Sequence, residues 1–182
     1  MKYFLLLFIL IFSLQNLFSQ QFYTDKGVTR FDGSKAAFEP IKANNNNTVS
    51  IIDSSTGQIA AVILIREFDF RLGLMQEHFN ENYLESNVYP KSTFEGQIKN
   101  FNLKELNQDF KEYVIEGVLT IKGVNNNILT KAKIRKIDEK IELSSGFSVM
   151  LSDYKVKIPK IVFKKIDEEV KINLNFVYDE KN

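Results

Sequence analysis

The sequence predicts an all-β protein of antiparallel strands, a sandwich or a barrel, with one short amphipathic helix. Three observations carry this. Several segments alternate apolar and polar residues at period two, as in sheets with one dry and one wet face. The connections between them are short and polar, as hairpins require. Only the stretch around Leu72 to Tyr83 has helical spacing instead.

Alternation gives eight strand candidates, at residues 22–31, 48–53, 58–68, 92–99, 111–122, 128–137, 140–151 and 169–178. In the fifth, Tyr113, Ile115, Gly117, Leu119 and Ile121 share a face opposite Glu116, Thr120 and Lys122. In the seventh, Ile141, Leu143, Phe147, Val149 and Leu151 repeat the scheme, and the last sets Val170, Ile172, Leu174, Phe176 and Tyr178 against Lys171, Asn173 and Asn175. Ser54-Ser55-Thr56-Gly57 and Asp138-Glu139 read as hairpin connections. Asn44-Asn45-Asn46-Asn47 and Asn125-Asn126-Asn127 read as surface turns. Many short-linked antiparallel strands imply a sandwich or a barrel.

The third candidate strand is different. Ile59, Ala61, Ile63 and Ile65 alternate with Ala60, Val62 and Leu64, so both faces are apolar. Such a strand needs a cover on its outer face. The helix would supply it, or a second subunit in a homodimer.

The helix places Leu72, Met75, Phe79 and Tyr83 on one face, with Gln76, Glu77, Asn80 and Glu81 on the others. Tyr89-Pro90 ends it, because proline disfavours helical geometry in the residue before it. Thr93 to Lys99 then alternates as a half-buried strand.

Residues 1–19 read as a secretory signal. Lys2 gives a positive start, Tyr3 to Leu14 is apolar but for Ser13, and Ser19 is a small residue at the cleavage point. The apolar run is shorter than the roughly 20 residues of a membrane span, and no second such run follows, so no stable span is expected after cleavage. The expected location is periplasmic or secreted. The rest, residues 20–182, is a single-domain length that buries a core without staples. With no cysteine, a lipid-modified cysteine, a thiol nucleophile and a disulfide framework are all excluded. The 24 basic residues become 23 without Lys2, against 23 acidic ones. That balance argues against a nucleic-acid partner. The local stripe Lys131, Lys133, Arg135 and Lys136 reads as a solvated strand face.

Catalytic signals are thin. His78 is the only histidine, which rules out a multi-histidine metal centre. No nucleophile elbow and no phosphate-cradling glycine loop occurs, and Asp138-Glu139 and Asp167-Glu168-Glu169 read as solvated turn charges. No catalytic residue, metal or cofactor is expected. His78 either donates to a ligand headgroup at a barrel mouth or is a partly exposed helix residue bonded to a nearby carbonyl. Met75, Phe79 and Tyr83 either line a lipid slot or anchor the helix.

The run from Met75-Gln76-Glu77-His78-Phe79 through Tyr89-Pro90 to Phe94 resembles the signature of the YceI-like family. Three further segments, in order, are similar to the same family: Gly117 to Val124, Phe147 to Tyr154 leading to Ile158-Pro159, and the closing strand through Tyr178. The likeness spans Val49 to Tyr178. Where the family has Arg-Asp-Glu-His at the helix start, this chain reads Leu74-Met75-Gln76-Glu77-His78.

The resemblance implies an eight-stranded lipocalin-like β-barrel, exported, that binds an apolar long-chain ligand, a polyisoprenoid above all, and is not an enzyme. The full sequence holds sixteen Phe and seven Tyr, and those outside the expected signal supply apolar interior surface; an eight-stranded barrel is either filled by side chains or holds one small ligand. The expected slot lining is Phe94, Ile98, Leu119, Ile121, Phe147, Val149, Leu174 and Phe176, with Met75, His78, Phe79 and Tyr83 as lid or mouth. The alternative is a ligand-free barrel serving as a protein-interaction or stress-related module.

Overall fold

The computed structural model describes residues 20–35, 38–159 and 165–181. The expected signal, residues 1–19, lies outside them. Nine strands form one antiparallel sheet: β1 (Gln21–Ser34), β2 (Lys42–Asp53), β3 (Gln58–Leu64), β4 (Asp69–Phe70), β5 (Lys91–Ile98), β6 (Lys111–Ile121), β7 (Val124–Ile137), β8 (Lys140–Met150) and β9 (Ile166–Glu180). Their order is β1-β9-β8-β7-β6-β5-β3-β2, and β1 pairs again with β2. The eight long strands thereby close into a barrel with no free edge. The two-residue β4 adds only the pairs Ala43↔Phe70 and Asn44↔Asp69 to β2.

The predicted strands appear in order, with two corrections at the asparagine runs. Asn44 to Asn47 lie inside β2 rather than in a turn. Asn45 is fully buried, donates from Nδ2 to the Leu64 carbonyl at 3.2 Å, and accepts at Oδ1 from the Asn47 amide and the Thr48 hydroxyl. The β1–β2 ladder shifts register here, and the inward set on β2 changes from Ala43 and Asn45 to Thr48, Ser50 and Ile52. A bulge of this kind sharpens curvature, as barrel closure needs. Asn125 to Asn127 likewise belong to β7. The turn lies just before them, at Lys122-Gly123, whose φ angles of 51° and 71° suit a two-residue hairpin between Ile121 and Val124.

The helix is shorter than predicted. It is α1 (Gly73–His78) followed by a wide π turn (Phe79–Tyr83), and the chain leaves helical geometry well before Tyr89-Pro90. It does not cover the outer face of β3. Phe79 instead packs inward, with Ala43, Ile65, Phe68, Phe70 and Leu84. Its ring lies 4.9 Å from Phe70, 5.5 Å from Phe68 and 5.7 Å from Phe31, so four phenylalanines stack under the helix. Outside β3, Ala60 and Val62 stay half-buried and Leu64 is 47% exposed.

Three of the four cations in the basic stripe on β7 have acidic partners. Lys131 reaches Glu112 at 2.8 Å, Arg135 reaches Glu142 at 2.6 Å and stacks over Phe110, and Lys136 reaches Glu139 at 3.5 Å. Exposed pairs of this kind add little stability.

Candidate functional site: an apolar cavity inside the barrel

The barrel interior is divided along its axis. One end is solid: Phe22, Ile52, Ile98, Ile134, Ile141 and Tyr178 are all but sealed from solvent and pack as one cluster, with Leu106 plugging it from the loop after β5. The Tyr178 hydroxyl lies 2.9 Å from Ser50 Oγ, which also contacts the Ala60 carbonyl at 2.8 Å. Burial pushes the Tyr178 phenol far above the ordinary tyrosine range, and the hydrogen bond to Ser50 only partly offsets this.

Beyond that plug the interior is open. A cavity bounded by about 1190 Å³, its opening included, holds about 150 Å³ in which the centre of a water-sized sphere can move. That is many times the roughly 10–15 Å³ needed to hold a single water. Its walls are inward side chains of every long strand, such as Thr29 on β1, Ala61 and Ile63 on β3, Phe94 on β5, Leu119 on β6, Ile128 on β7, Phe147 on β8 and Leu174 on β9. Segments between strands complete it: Ile65, Phe68, Phe79 and Leu84 from the helical side, and Leu151, Tyr154 and Val156 after β8. Among the described residues no Asp, Glu, Lys, Arg or His lines it.

Two glycines shape the wall. Gly96 and Gly117 face each other across β5 and β6, and the Phe94 ring lies over both. A Cβ on Gly117 would come within 2.7 Å of that ring and 2.3 Å of the Glu95 carbonyl. The pair therefore lets an aromatic ring lie against the barrel wall.

Polar atoms in the lining are few and nearly all paired. Thr29 and Thr48 hydroxyls are 2.8 Å apart, and Thr48 reaches Asn45. On β7, which the strand order places opposite β2, and on its neighbour β8, Thr130 lies 3.3 Å from Ser145, and Ser145 donates to the Lys131 carbonyl at 2.7 Å.

Of the twelve residues expected from sequence, Phe79, Phe94, Leu119, Ile121, Phe147, Val149, Leu174 and Phe176 border the cavity. Ile98 does not: it shares their face of the sheet but sits in the solid end. Met75 and Tyr83 pack beside Phe79 as half-buried anchors of the helix rather than as lining, and burial raises the Tyr83 phenol above its usual range. His78 is exposed on the helix and outside the lining. Sequence reading missed the hydroxyl positions Thr29, Thr48, Ser92, Thr130 and Ser145. Parity held the signal for Thr130, which shares the inward phase of Ile128 and Ala132. For Thr48 the bulge erased it.

Among the described residues no cluster of three His, Cys, Asp or Glu side chains is placed to hold a metal. No helix among them is long and apolar enough to cross a membrane.

The model of the YceI-like domain matches residues 21–178. The chain belongs to the YceI-like family. No functionally curated protein matches it. Among solved structures, a polyisoprenoid-binding domain from Saccharophagus degradans superposes with a TM-score of 0.74 at 13% identity, covering 88% of this chain and 98% of that one. BcnA of Burkholderia cenocepacia gives 0.68 at 17% identity, covering 82% and 95%. The Campylobacter jejuni YceI protein gives 0.61 at 18%, covering 81% and 89%. At these identities the likeness is one of fold, and it agrees with the closed eight-stranded YceI-like barrel described above.

Proposed function

We propose that this YceI-like protein sequesters or carries an apolar long-chain molecule, a polyisoprenoid, in its barrel cavity, and that it does so by binding alone, without cofactor or catalysis. The observation that carries the reading is the uncharged apolar cavity between the solid end and the Phe79 cluster. The Saccharophagus domain, described as polyisoprenoid-binding, supports the ligand class.

Magnitudes favour a chain of some length. Each buried methylene contributes about 0.8 kcal/mol, while association itself costs roughly 4–15 kcal/mol. About a dozen methylenes therefore separate weak from useful binding. The solid end confines the slot to part of the barrel, so a longer chain would extend out of the opening.

Export fits the same reading. The charged start and apolar run of residues 1–19 would deliver the barrel to an oxidising compartment, where the absence of cysteine costs nothing. Mass measurement of the mature N-terminus in the host tests this.

A second reading has its own observation. Val49 on β2 and Leu64 on β3 are exposed on the outer face beside half-buried Val62. That apolar strip would suit a homodimer or another protein contact.

The deciding experiment is native mass spectrometry of the protein purified from its own host, with organic extraction and identification of bound molecules. A stoichiometric long-chain lipid is the expected result. An empty, folded protein that also refuses offered lipids overturns the carrier reading and leaves the interaction module. As a check on the slot, Leu119→Asp or Phe176→Asp should abolish uptake in a folded variant.

A further inference from the structure

Among the hydroxyls on the inward phase of the strands one is unlike the rest; Thr93, which also borders the cavity, is on the outward phase of β5. Ser92 on β5 is inward-facing and only 8% exposed, and it borders the cavity. It lies opposite Ile63 of β3, and the Thr93↔Thr120 and Phe94↔Leu119 pairs bring Ile121 of β6 alongside it. Ile63 and Ile121 both pack against the Phe79 and Leu84 cluster, so Ser92 sits in the layer beneath the helix. Among the described residues its Oγ has no hydrogen-bond partner.

The other inward hydroxyls of the cavity do have partners. Thr29 and Thr48 hold each other, Thr130 and Ser145 hold each other, and Tyr154 pairs with Asn126. An unpaired hydroxyl among isoleucines and phenylalanines costs stability that alanine or valine would not. Among the described residues no cationic or anionic side chain reaches the cavity, so an ionised group drawn to this depth would find no counter-charge among them.

We propose that Ser92 is the polar subsite of the cavity: it hydrogen-bonds the neutral oxygen, hydroxyl or ketone, at the end of the bound chain. This inference rests on the carrier reading and narrows its cargo. Chains ending in an ionised carboxylate or phosphate are disfavoured, because they would have to leave that end in water and give up the contact.

The test is displacement of the fluorescent hydrocarbon diphenylhexatriene from the full protein at pH 8 by hexadecane, hexadecan-1-ol and hexadecanoate. In the wild type the alcohol should bind about fivefold more tightly than the alkane, the worth of one neutral hydrogen bond. It should exceed hexadecanoate by tenfold or more. Ser92→Ala should make alcohol and alkane equal while leaving the alkane unchanged, and Ser92→Thr should keep the preference. A wild type that binds all three alike, or a preference that survives Ser92→Ala, overturns the subsite and leaves the carrier reading standing. If Ser92→Ala does not fold, the wild-type series decides alone. Failure of diphenylhexatriene and of all three chains to bind overturns both.

Discussion

Tyr178 closes the solid end of the barrel through its ring and through the bond to Ser50 at 2.9 Å. Its phenol is raised above the ordinary value of 10.0, so at alkaline pH the unfolded chain releases a proton that the folded chain keeps. The stability this gives is complete below about pH 10 and is lost as pH rises beyond it. Between pH 10 and 12 the wild type should lose up to about 1.4 kcal/mol per pH unit more than Tyr178→Phe. At pH 7 the same substitution should cost about 1 kcal/mol, one hydrogen bond. Urea unfolding at the two pH values checks both, and equal alkaline slopes would sink the assignment. At this scale the sequence was informative about face and silent about depth. Period-two alternation put Ile98 and Phe94 on one face correctly, yet only the fold sets Ile98 in the plug and Phe94 on the cavity. The helix gave less, because which way Met75 and His78 point depends on how Phe79 docks.

Elements whose local chemistry agreed with the barrel were legible, and those that bend it were not. β6, β8 and β9 keep one parity from end to end and could be read directly. β2 changes parity at its bulge and fills the inward positions with Asn45 and Thr48, so its first half looked like a loop. The β6–β7 turn was displaced for a related reason: asparagines mark turns statistically, but Gly123 at φ 71° meets the geometry. Its missing side chain also leaves room for the Tyr89 ring, since a Cβ would approach it to 2.8 Å. Gly123→Ala should therefore destabilise by about 1–3 kcal/mol through backbone strain, whereas Asn127→Ala on the exposed side of β7 should stay within about 0.5 kcal/mol. Thermal unfolding separates the two. On the helix, Phe79 touches three other phenylalanine rings. Phe79→Ala should cost about 3–5 kcal/mol and speed exchange of bound ligand, read by the dissociation rate of a fluorescent chain.

For the whole molecule, the division into a plug and a hollow sets how each half answers to truncation. A substitution in a packed region loses transfer energy and also leaves a void, and the second term depends on whether neighbours can collapse into it. Ile134 is fully buried in the plug, touching a cluster closed by Leu106 and Tyr113. Ile134→Ala should cost about 2–5 kcal/mol and leave ligand affinity unchanged. Leu119 already borders empty space, next to Phe94 in register. Its truncation creates no new cavity and only widens one, so Leu119→Ala should fall at or below the lower end of that range. The widened slot should instead favour bulkier, methyl-branched chains over straight ones of equal length. Chemical denaturation and competition between a branched and a linear chain alcohol measure the two effects. A barrel packed to uniform density would give both variants similar stability losses. A divided one gives a packed plug and a hollow chamber, so packing loss and chamber shape are governed by different residues of the same strands.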